Sequence, residues 1–181
     1  NVLCATDDKY VPYCGVMLTS LFENNKDREV NVYILIDKPL SRKSILNLKK
    51  VAEKYHQYIH YCLVDSTFFK KFPIKGSGAG HLSIVTYYRL YAADLLPMEV
   101  DKVLYLDCDI AVNASIGELF DMDWADYAIG AVSDMCVEWQ EFYDRLQYDK
   151  SLGYFNAGVA FMNLDYWRKN RDDEEFKNYV P

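Results

Sequence analysis

The fold of this chain is indicated most clearly by residues 102–112, which read KVLYLDCDIAV. This apolar run is broken only by Asp107 and Asp109, which stand two places apart. A run rich in valine, leucine, tyrosine and isoleucine predicts a buried strand, where an unpaired charge is costly. Because alternate strand residues point the same way, we expect the two carboxylates to converge where the strand ends and Cys108 to face away from them.

Two carboxylates at the end of a buried strand favour a divalent metal as their partner. Hard cations such as Mn²⁺ and Mg²⁺ take oxygen ligands and keep positions open for substrate phosphates. A zinc site would require His or Cys at spacings that this sequence lacks. The alternative is that Asp107 and Asp109 only end the strand and cap the segment that follows. The carboxyl end of a strand is where α/β sheets bind ligands, which favours the metal site.

The flanking sequence predicts alternating strands and helices. Residues 2–5, 30–36 and 58–64 are apolar runs typical of strands, and helical spacing follows at 13–22 and after Ser41. This β-α-β-α-β order predicts a parallel sheet with right-handed crossovers. The remaining predicted elements are a helix at about 84–95, strands at 103–106, 127–132 and 155–164, and helices at 137–146 and 166–179. We therefore expect one α/β domain spanning residues 1–181.

Composition restricts the partners of the chain. Its 181 residues carry a formal net charge of −7 without a cluster of Lys and Arg, which argues against nucleic acid. An acidic protein binds a nucleotide diphosphate through a bridging cation, in agreement with the metal site. The five cysteines are dispersed, and we expect reduced packing residues in a cytoplasmic protein. No run is long enough to span a membrane, and no signal peptide is recognisable.

Weaker signals occur at three other places. Asp7 and Tyr10 follow the first strand, where a nucleotide base can be bound, although from this loop alone helix capping by Asp7 or Asp8 is the first interpretation. Arg89 either forms charge-assisted bonds to a sugar hydroxyl or a carboxylate, or is a surface charge. Asn156 precedes Ala157 and a glycine, where a small ligand can approach the backbone closely.

Taken together, four blocks of this chain resemble glycosyltransferase family 8, the retaining GT-A enzymes that include bacterial lipopolysaccharide galactosyl- and glucosyltransferases and glycogenin. The blocks are ATDDKY at 5–10, HLSIVTYYRL at 81–90, YLDCD at 105–109 and FNAG at 155–158. They occur in the family's order and cover nearly the whole chain. The resemblance implies an α/β GT-A (Rossmann-like) fold, with a mostly parallel central sheet flanked by helices. It also implies transfer of glucose or galactose from UDP-glucose or UDP-galactose to a saccharide or glycolipid acceptor.

The resemblance also implies roles for single residues. Asp107 and Asp109 would hold Mn²⁺ (or Mg²⁺) against the donor diphosphate, with Asp109 also close to the ribose. Asp134 matches a family position near the transferred sugar and is the implied catalytic residue. The residues implied in nucleotide binding are Ala5, Asp7, Lys9, Tyr10 and Asp109, with Lys9 standing where a bacterial relative carries Asn. The residues implied in donor-sugar binding are Arg89, Asn156 and Ala157.

In such a site the metal ion, and not an acidic side chain, stabilises the charge on departing UDP. Family members continue with an Asp-Gln pair, a His that ligates the metal and a Lys at the diphosphate, none of which can be placed here. The chain begins at Asn1 without a Met and stops at Pro181, so we expect a fragment with an incomplete donor site. A glycolipid acceptor is compatible with peripheral association with a membrane.

Two alternatives remain open on the sequence. A phosphatase of the haloacid dehalogenase type also places an Asp-x-Asp motif after a strand, but usually near the N-terminus and followed by Thr or Val, where this chain has Ala111. The other alternative is a nucleotide-sugar-binding module that keeps the pocket without turnover.

Overall fold

A computed structural model of the chain describes residues 1–67, 69, 72, 84–134, 143–144, 147 and 149–170. Within these residues, six strands form one sheet in the order β3-β2-β1-β4-β6-β5. The strands are β1 (Val2–Ala5), β2 (Asn31–Ile36), β3 (Tyr58–Leu63), β4 (Lys102–Leu106), β5 (Ile129–Ser133) and β6 (Phe155–Asn163). Strands β1 to β4 pair in parallel, whereas β6 is antiparallel to both of its neighbours. The predicted α/β class with a mostly parallel sheet is confirmed.

Helices cover both faces of the sheet. They are α1 (Val11–Glu23), α2 (Arg42–Tyr55), a 3₁₀ helix (Ile84–Tyr91), α3 (Ala92–Leu95), α4 (Gly117–Asp121), a second 3₁₀ helix (Lys150–Leu152) and α5 (Leu164–Asn170). The predicted cap of α2 is confirmed, since the Ser41 hydroxyl accepts a hydrogen bond from the Ser44 N–H at 3.2 Å. Helix α1 begins two residues earlier than predicted because a proline stands in its first turn, where the fixed φ of proline suits a helix.

Other boundaries differ from the sequence predictions. Most of the predicted 84–95 helix is 3₁₀, since Ile84, Val85 and Thr86 are β-branched and lose side-chain freedom in an α-helix. The short helix α4 was not predicted. The predicted helix at 137–146 falls almost wholly outside the described residues, as does 171–179 of the last predicted helix.

Strand alternation divides the core into two layers. Cys4, Leu104 and Leu106 pack on the side of α1 and α2. Leu3 and Tyr105 pack on the opposite side, with the 3₁₀ helix of 84–91, α3 and α5. In the described part of the chain, no helix has the length and apolar character needed to cross a membrane.

Candidate active site

A cleft of about 430 Å³ opens at the carboxyl ends of β1 and β4. The first residues of β6 close one side of the cleft, because β6 runs in the opposite direction to β4 and so begins where β4 ends. Its lining residues are Ala5, Thr6, Asp7, Tyr10, Val85, Thr86, Arg89, Tyr105, Asp107, Cys108, Asp109, Asn156, Ala157 and Gly158. The cleft thus brings together every residue predicted for the site except Lys9 and Asp134.

Asp107 is held in the cleft through both its backbone and its side chain. Its backbone N–H donates to the Gly158 carbonyl at 2.8 Å, which extends the β4–β6 ladder by one residue. Its Oδ1 atom accepts hydrogen bonds from Arg89 Nη2 at 2.9 Å and from the Tyr105 hydroxyl at 2.8 Å. One oxygen of Asp107 is therefore occupied by an arginine and a tyrosine, a pairing that the sequence prediction of a metal-bound carboxylate did not include.

Arg89 is almost fully buried, with 8% of its surface exposed. Besides Asp107, it contacts two backbone carbonyls: Nε donates to Thr86 at 2.9 Å, and Nη1 donates to Ala157. Its guanidinium carbon lies 3.9 Å from the centroid of the Tyr105 ring, a stacked arrangement that favours a cation. Arg89 therefore joins the 3₁₀ helix, the end of β4 and the start of β6 at one point. Of the two alternatives left open by the sequence, the surface charge is wrong.

Tyr105 supports this arrangement as a neutral donor. The side chain is buried, and burial raises the pKa of its phenol well above the ordinary value, with Asp107 adding to the rise. The phenol therefore keeps its proton at neutral pH and directs it to Asp107. The second oxygen of that carboxylate is left for another partner.

Asp109 differs from Asp107 in its surroundings. It lies in the turn after β4, which the Ile110 N–H closes by donating to the Asp107 carbonyl at 3.2 Å. Its side chain is exposed, and no donor among the described residues contacts its carboxylate. Cys108, between the two aspartates, packs on the α1 side of the sheet, as alternation predicted. Asp109 thus offers two oxygens and Asp107 offers one.

The loop after β1 is held by its own aspartates. Asp7 Oδ1 accepts from the backbone N–H groups of Lys9 and Tyr10, both at 2.9 Å, and so closes the turn before α1. The helix-capping role considered for this aspartate is wrong, since Tyr10 is the cap residue of α1 and no side chain caps that helix. Asp8 instead accepts from the Ser41 N–H at 3.0 Å and so ties the loop to the start of α2. These bonds hold Ala5, Asp7 and Tyr10 at the cleft wall.

Two predicted residues lie beside the cleft. Lys9 lines an adjoining hollow of about 360 Å³ that shares Asp7 with the cleft, and its ammonium lies 5.8 Å from the centroid of the Tyr10 ring. Asp134 is linked to the cleft by a hydrogen bond from the lining residue Asn156, whose Nδ2 donates to Asp134 Oδ2 at 3.2 Å. Asn156 Oδ1 accepts from the Gly158 N–H at 2.8 Å, which fixes the orientation of its amide. Their predicted contacts with ribose and sugar remain predictions.

Sequence reasoning missed two residues that shape the site. Tyr105 stands two places before Asp107, so the alternation that was applied to Asp109 also brings this hydroxyl to the same side of the strand. The sequence predicts that a small ligand approaches the backbone closely at Gly158. Its closest neighbour is a carboxylate of the site, because a Cβ built at this position would lie 2.8 Å from Asp107 Oδ2.

Solved structures that are similar to this chain include glycosyltransferases. The galactosyltransferase LgtC, solved in complex with donor and acceptor sugar analogues, superposes with a TM-score of 0.83 at 30% identity and covers 99% of this chain and 66% of its own. The fold is thus that of a GT-A glycosyltransferase. The profile of Glycosyl transferase family 8 matches residues 1–177, and the chain belongs to this family.

Curated relatives agree with this membership. The chain is 33% identical over 177 residues to a lipopolysaccharide 1,2-glucosyltransferase of Escherichia coli, covering 97% of this chain and 51% of the relative. It is 29% identical over 170 residues to the lipopolysaccharide 1,3-galactosyltransferase of Salmonella typhimurium, covering 92% and 49%. The chain therefore spans about half the length of these relatives. Family membership favours a transferase over the haloacid-dehalogenase-type phosphatase.

Proposed function

We propose that this chain provides the donor-binding part of a metal-dependent retaining glycosyltransferase, which moves glucose or galactose from UDP to a saccharide or glycolipid acceptor. The observation that carries the proposal is the cleft itself, where carboxylates, an arginine and an amide converge from distant parts of the chain. The activities of the two relatives, lipopolysaccharide glucosyl- and galactosyltransferase, support the choice of hexose and a glycolipid acceptor.

The residues present fit a hard divalent cation. Asp109 has two carboxylate oxygens without a donor among the described residues, and Asp107 keeps Oδ2 free of the arginine. Oxygen ligands of this kind suit Mn²⁺ or Mg²⁺, which keep positions open for phosphate oxygens. When bound between these residues and the donor, the ion would neutralise the charge that develops on the departing diphosphate.

The side chains of this chain orient the donor in the proposed reaction. Transfer breaks the bond between the anomeric carbon and the β-phosphate oxygen and forms a bond from that carbon to an acceptor hydroxyl, which gives up its proton. The Tyr10 ring offers a face for the uracil, and Asp7 lies beside it. The Asn156 amide has a second N–H available for a sugar hydroxyl, since only one is used on Asp134. Arg89 fixes Asp107 and the Ala157 backbone relative to each other.

Binding of UDP to this chain tests the donor site. We expect calorimetric titration to show binding with Mn²⁺ and its loss with EDTA. Asp109→Asn should weaken binding by at least about 100-fold, since even outer-shell changes cost 10–100-fold at metal sites. Asp121→Asn removes an exposed carboxylate of α4 away from the cleft and serves as the matched control. UDP binding that is equal with and without metal would contradict the proposal.

Turnover must be tested on the full-length protein. Incubation with UDP-glucose or UDP-galactose and a glycan acceptor should release UDP and yield a product of retained configuration. A nucleotide-sugar-binding module would bind the donor with metal and release no UDP, even with acceptor present. That outcome would leave the binding site intact and overturn the enzymatic part.

A further inference from the structure

Three buried thiols meet on the α1 side of the sheet, directly behind the acidic turn. Cys4 comes from β1, Cys14 from the start of α1, and Cys108 from the turn between Asp107 and Asp109. Their sulfur atoms all lie within 4.8 Å of one another. All three are free thiols and at most 7% exposed.

We propose that Cys4, Cys14 and Cys108 form a site for a thiophilic divalent cation of the zinc type, separate from the carboxylate site. Thiolates select soft or borderline ions such as zinc, whereas carboxylates suit manganese and magnesium. The two faces of this turn would therefore sort cations by ligand chemistry. The sequence spacing predicted no zinc site, because the ligands come from three different elements.

The geometry needs only a small adjustment to hold an ion. Zinc–sulfur bonds are about 2.3 Å long, so three sulfurs around one zinc ion lie about 3.8–4.0 Å apart. The observed separations of up to 4.8 Å thus have to close by less than about 1 Å. Three converging sulfurs are also more than a packed core requires of cysteine, which usually serves there as a single small apolar residue.

Charge favours a divalent over a monovalent ion. Each thiol passes its proton to solvent as its sulfur takes up the ion. Three thiolates with a divalent cation leave one net negative charge in the core, and a monovalent cation leaves two, at a higher desolvation cost. The positive end of the dipole of α1 lies on this side, since Cys14 is the fourth residue of that helix.

An entry path is present at Cys108. This residue lines the cleft, whereas Cys4 and Cys14 are fully buried behind it. Zinc sites usually have four ligands, and three protein ligands leave one position open. The Cys108 thiol donates to the Ala5 carbonyl at 3.2 Å, so an oxygen lies beside the cluster at this place.

Titration of the reduced chain with Cd²⁺ tests the site in a Cys62→Ser, Cys136→Ser background. We expect one ion per chain and a sulfur-to-cadmium charge-transfer band, which Zn²⁺ removes by displacement and excess Mn²⁺ does not. Cys108→Ala should lose intensity and weaken binding. Asp109→Asn should leave the band unchanged, which separates this site from the donor site. Absence of the band, or a band that survives Cys108→Ala, would overturn the proposal.

A second measurement avoids variants that perturb the core. In the unsubstituted chain, Cd²⁺ should slow the alkylation of the three cluster thiols together, read for each cysteine by mass spectrometry of the digested chain. Protection of none of the three would refute the site even if the serine and alanine variants failed to fold.

Discussion

Replacing Gly158 with alanine should damage the proposed metal site while leaving the fold in place. A Cβ at this position would lie 2.8 Å from Asp107 Oδ2 and 3.0 Å from Asn156 Oδ1, where ordinary contacts begin at 3.4 Å. Oδ2 would therefore have to withdraw by about 0.6 Å. Rotation alone cannot achieve this, because Oδ1 is fixed by Arg89 and Tyr105.

The size of the effect follows from the ligand that is displaced. An interaction with a charged group contributes about 1.5–3 kcal/mol, so losing the Asp107 contact should weaken Mn²⁺-dependent UDP binding about 10- to 100-fold. Gly158 has no positive φ, so alanine is permitted by its backbone. Alanine is more favourable than glycine in a strand, which stabilises the fold, whereas the crowded Cβ destabilises it. The free energy of unfolding should therefore change by no more than about 2 kcal/mol.

Gly15→Ala is the matched control. A Cβ there has nothing within 4 Å, and alanine in a helix should stabilise the fold by up to about 1 kcal/mol. We expect wild-type UDP binding by calorimetry for Gly15→Ala and weakened binding for Gly158→Ala, with urea unfolding of both variants measured alongside. A folded Gly158→Ala chain that binds UDP and Mn²⁺ as tightly as wild type would show that Asp107 Oδ2 has no part in holding the ion.

Three further substitutions or conditions test the packing around the site. Arg89→Met should lower the free energy of unfolding by about 2–4 kcal/mol because it removes hydrogen bonds to Asp107 and two carbonyls. Arg89→Lys should restore only part of that free energy. A loss below about 0.5 kcal/mol for Arg89→Met, measured by urea unfolding, would contradict this. Gly130→Ala places a Cβ 2.2 Å from the Trp124 ring and should cost about 1–3 kcal/mol by the same assay, with an unchanged midpoint as the contrary result. Burial raises the pKa of Tyr88 from 10.0 to about 12, so the folded state holds this proton more tightly than the unfolded chain does. The contribution of Tyr88 to stability should be full below pH 10 and fall by about 2–3 kcal/mol as pH rises to 12, in addition to the losses from other buried phenols. Tyr88→Phe should make the fall shallower by that amount, and an equally steep fall in Tyr88→Phe would refute the assignment.

The periodicity of apolar residues was enough to predict the parallel strands of the sheet and the side of the sheet on which Cys108 lies. Alternation along 102–109 placed Cys108 opposite the aspartates, and the structure confirms it. The pairing of Arg89 with Asp107 was out of reach, since it depends on how the 3₁₀ helix of 84–91 lies against β4. Local pattern contains no information on that distance.

The direction and position of β6 were also beyond local pattern. An apolar run at 155–164 predicts a strand but not its neighbours, and the structure inserts it between β4 and β5. The thiol cluster is missed for the same reason, because Cys4, Cys14 and Cys108 meet only once the sheet and α1 have packed. The strands and helices that were predicted depend on local patterns, whereas the contacts that were missed join residues far apart in the sequence.

The insertion of β6 also fixes the order in which the chain can fold during synthesis. Among the described strands β5 pairs only with β6, so it cannot join the sheet until residues 155–163 have left the ribosome. For roughly fifty residues of translation the outer edge of β4, an apolar strand, has no partner, and such an edge invites aggregation. A ribosome paused in this interval would display a half-built sheet that chaperones must cover, and the side of the cleft that β6 provides would be missing.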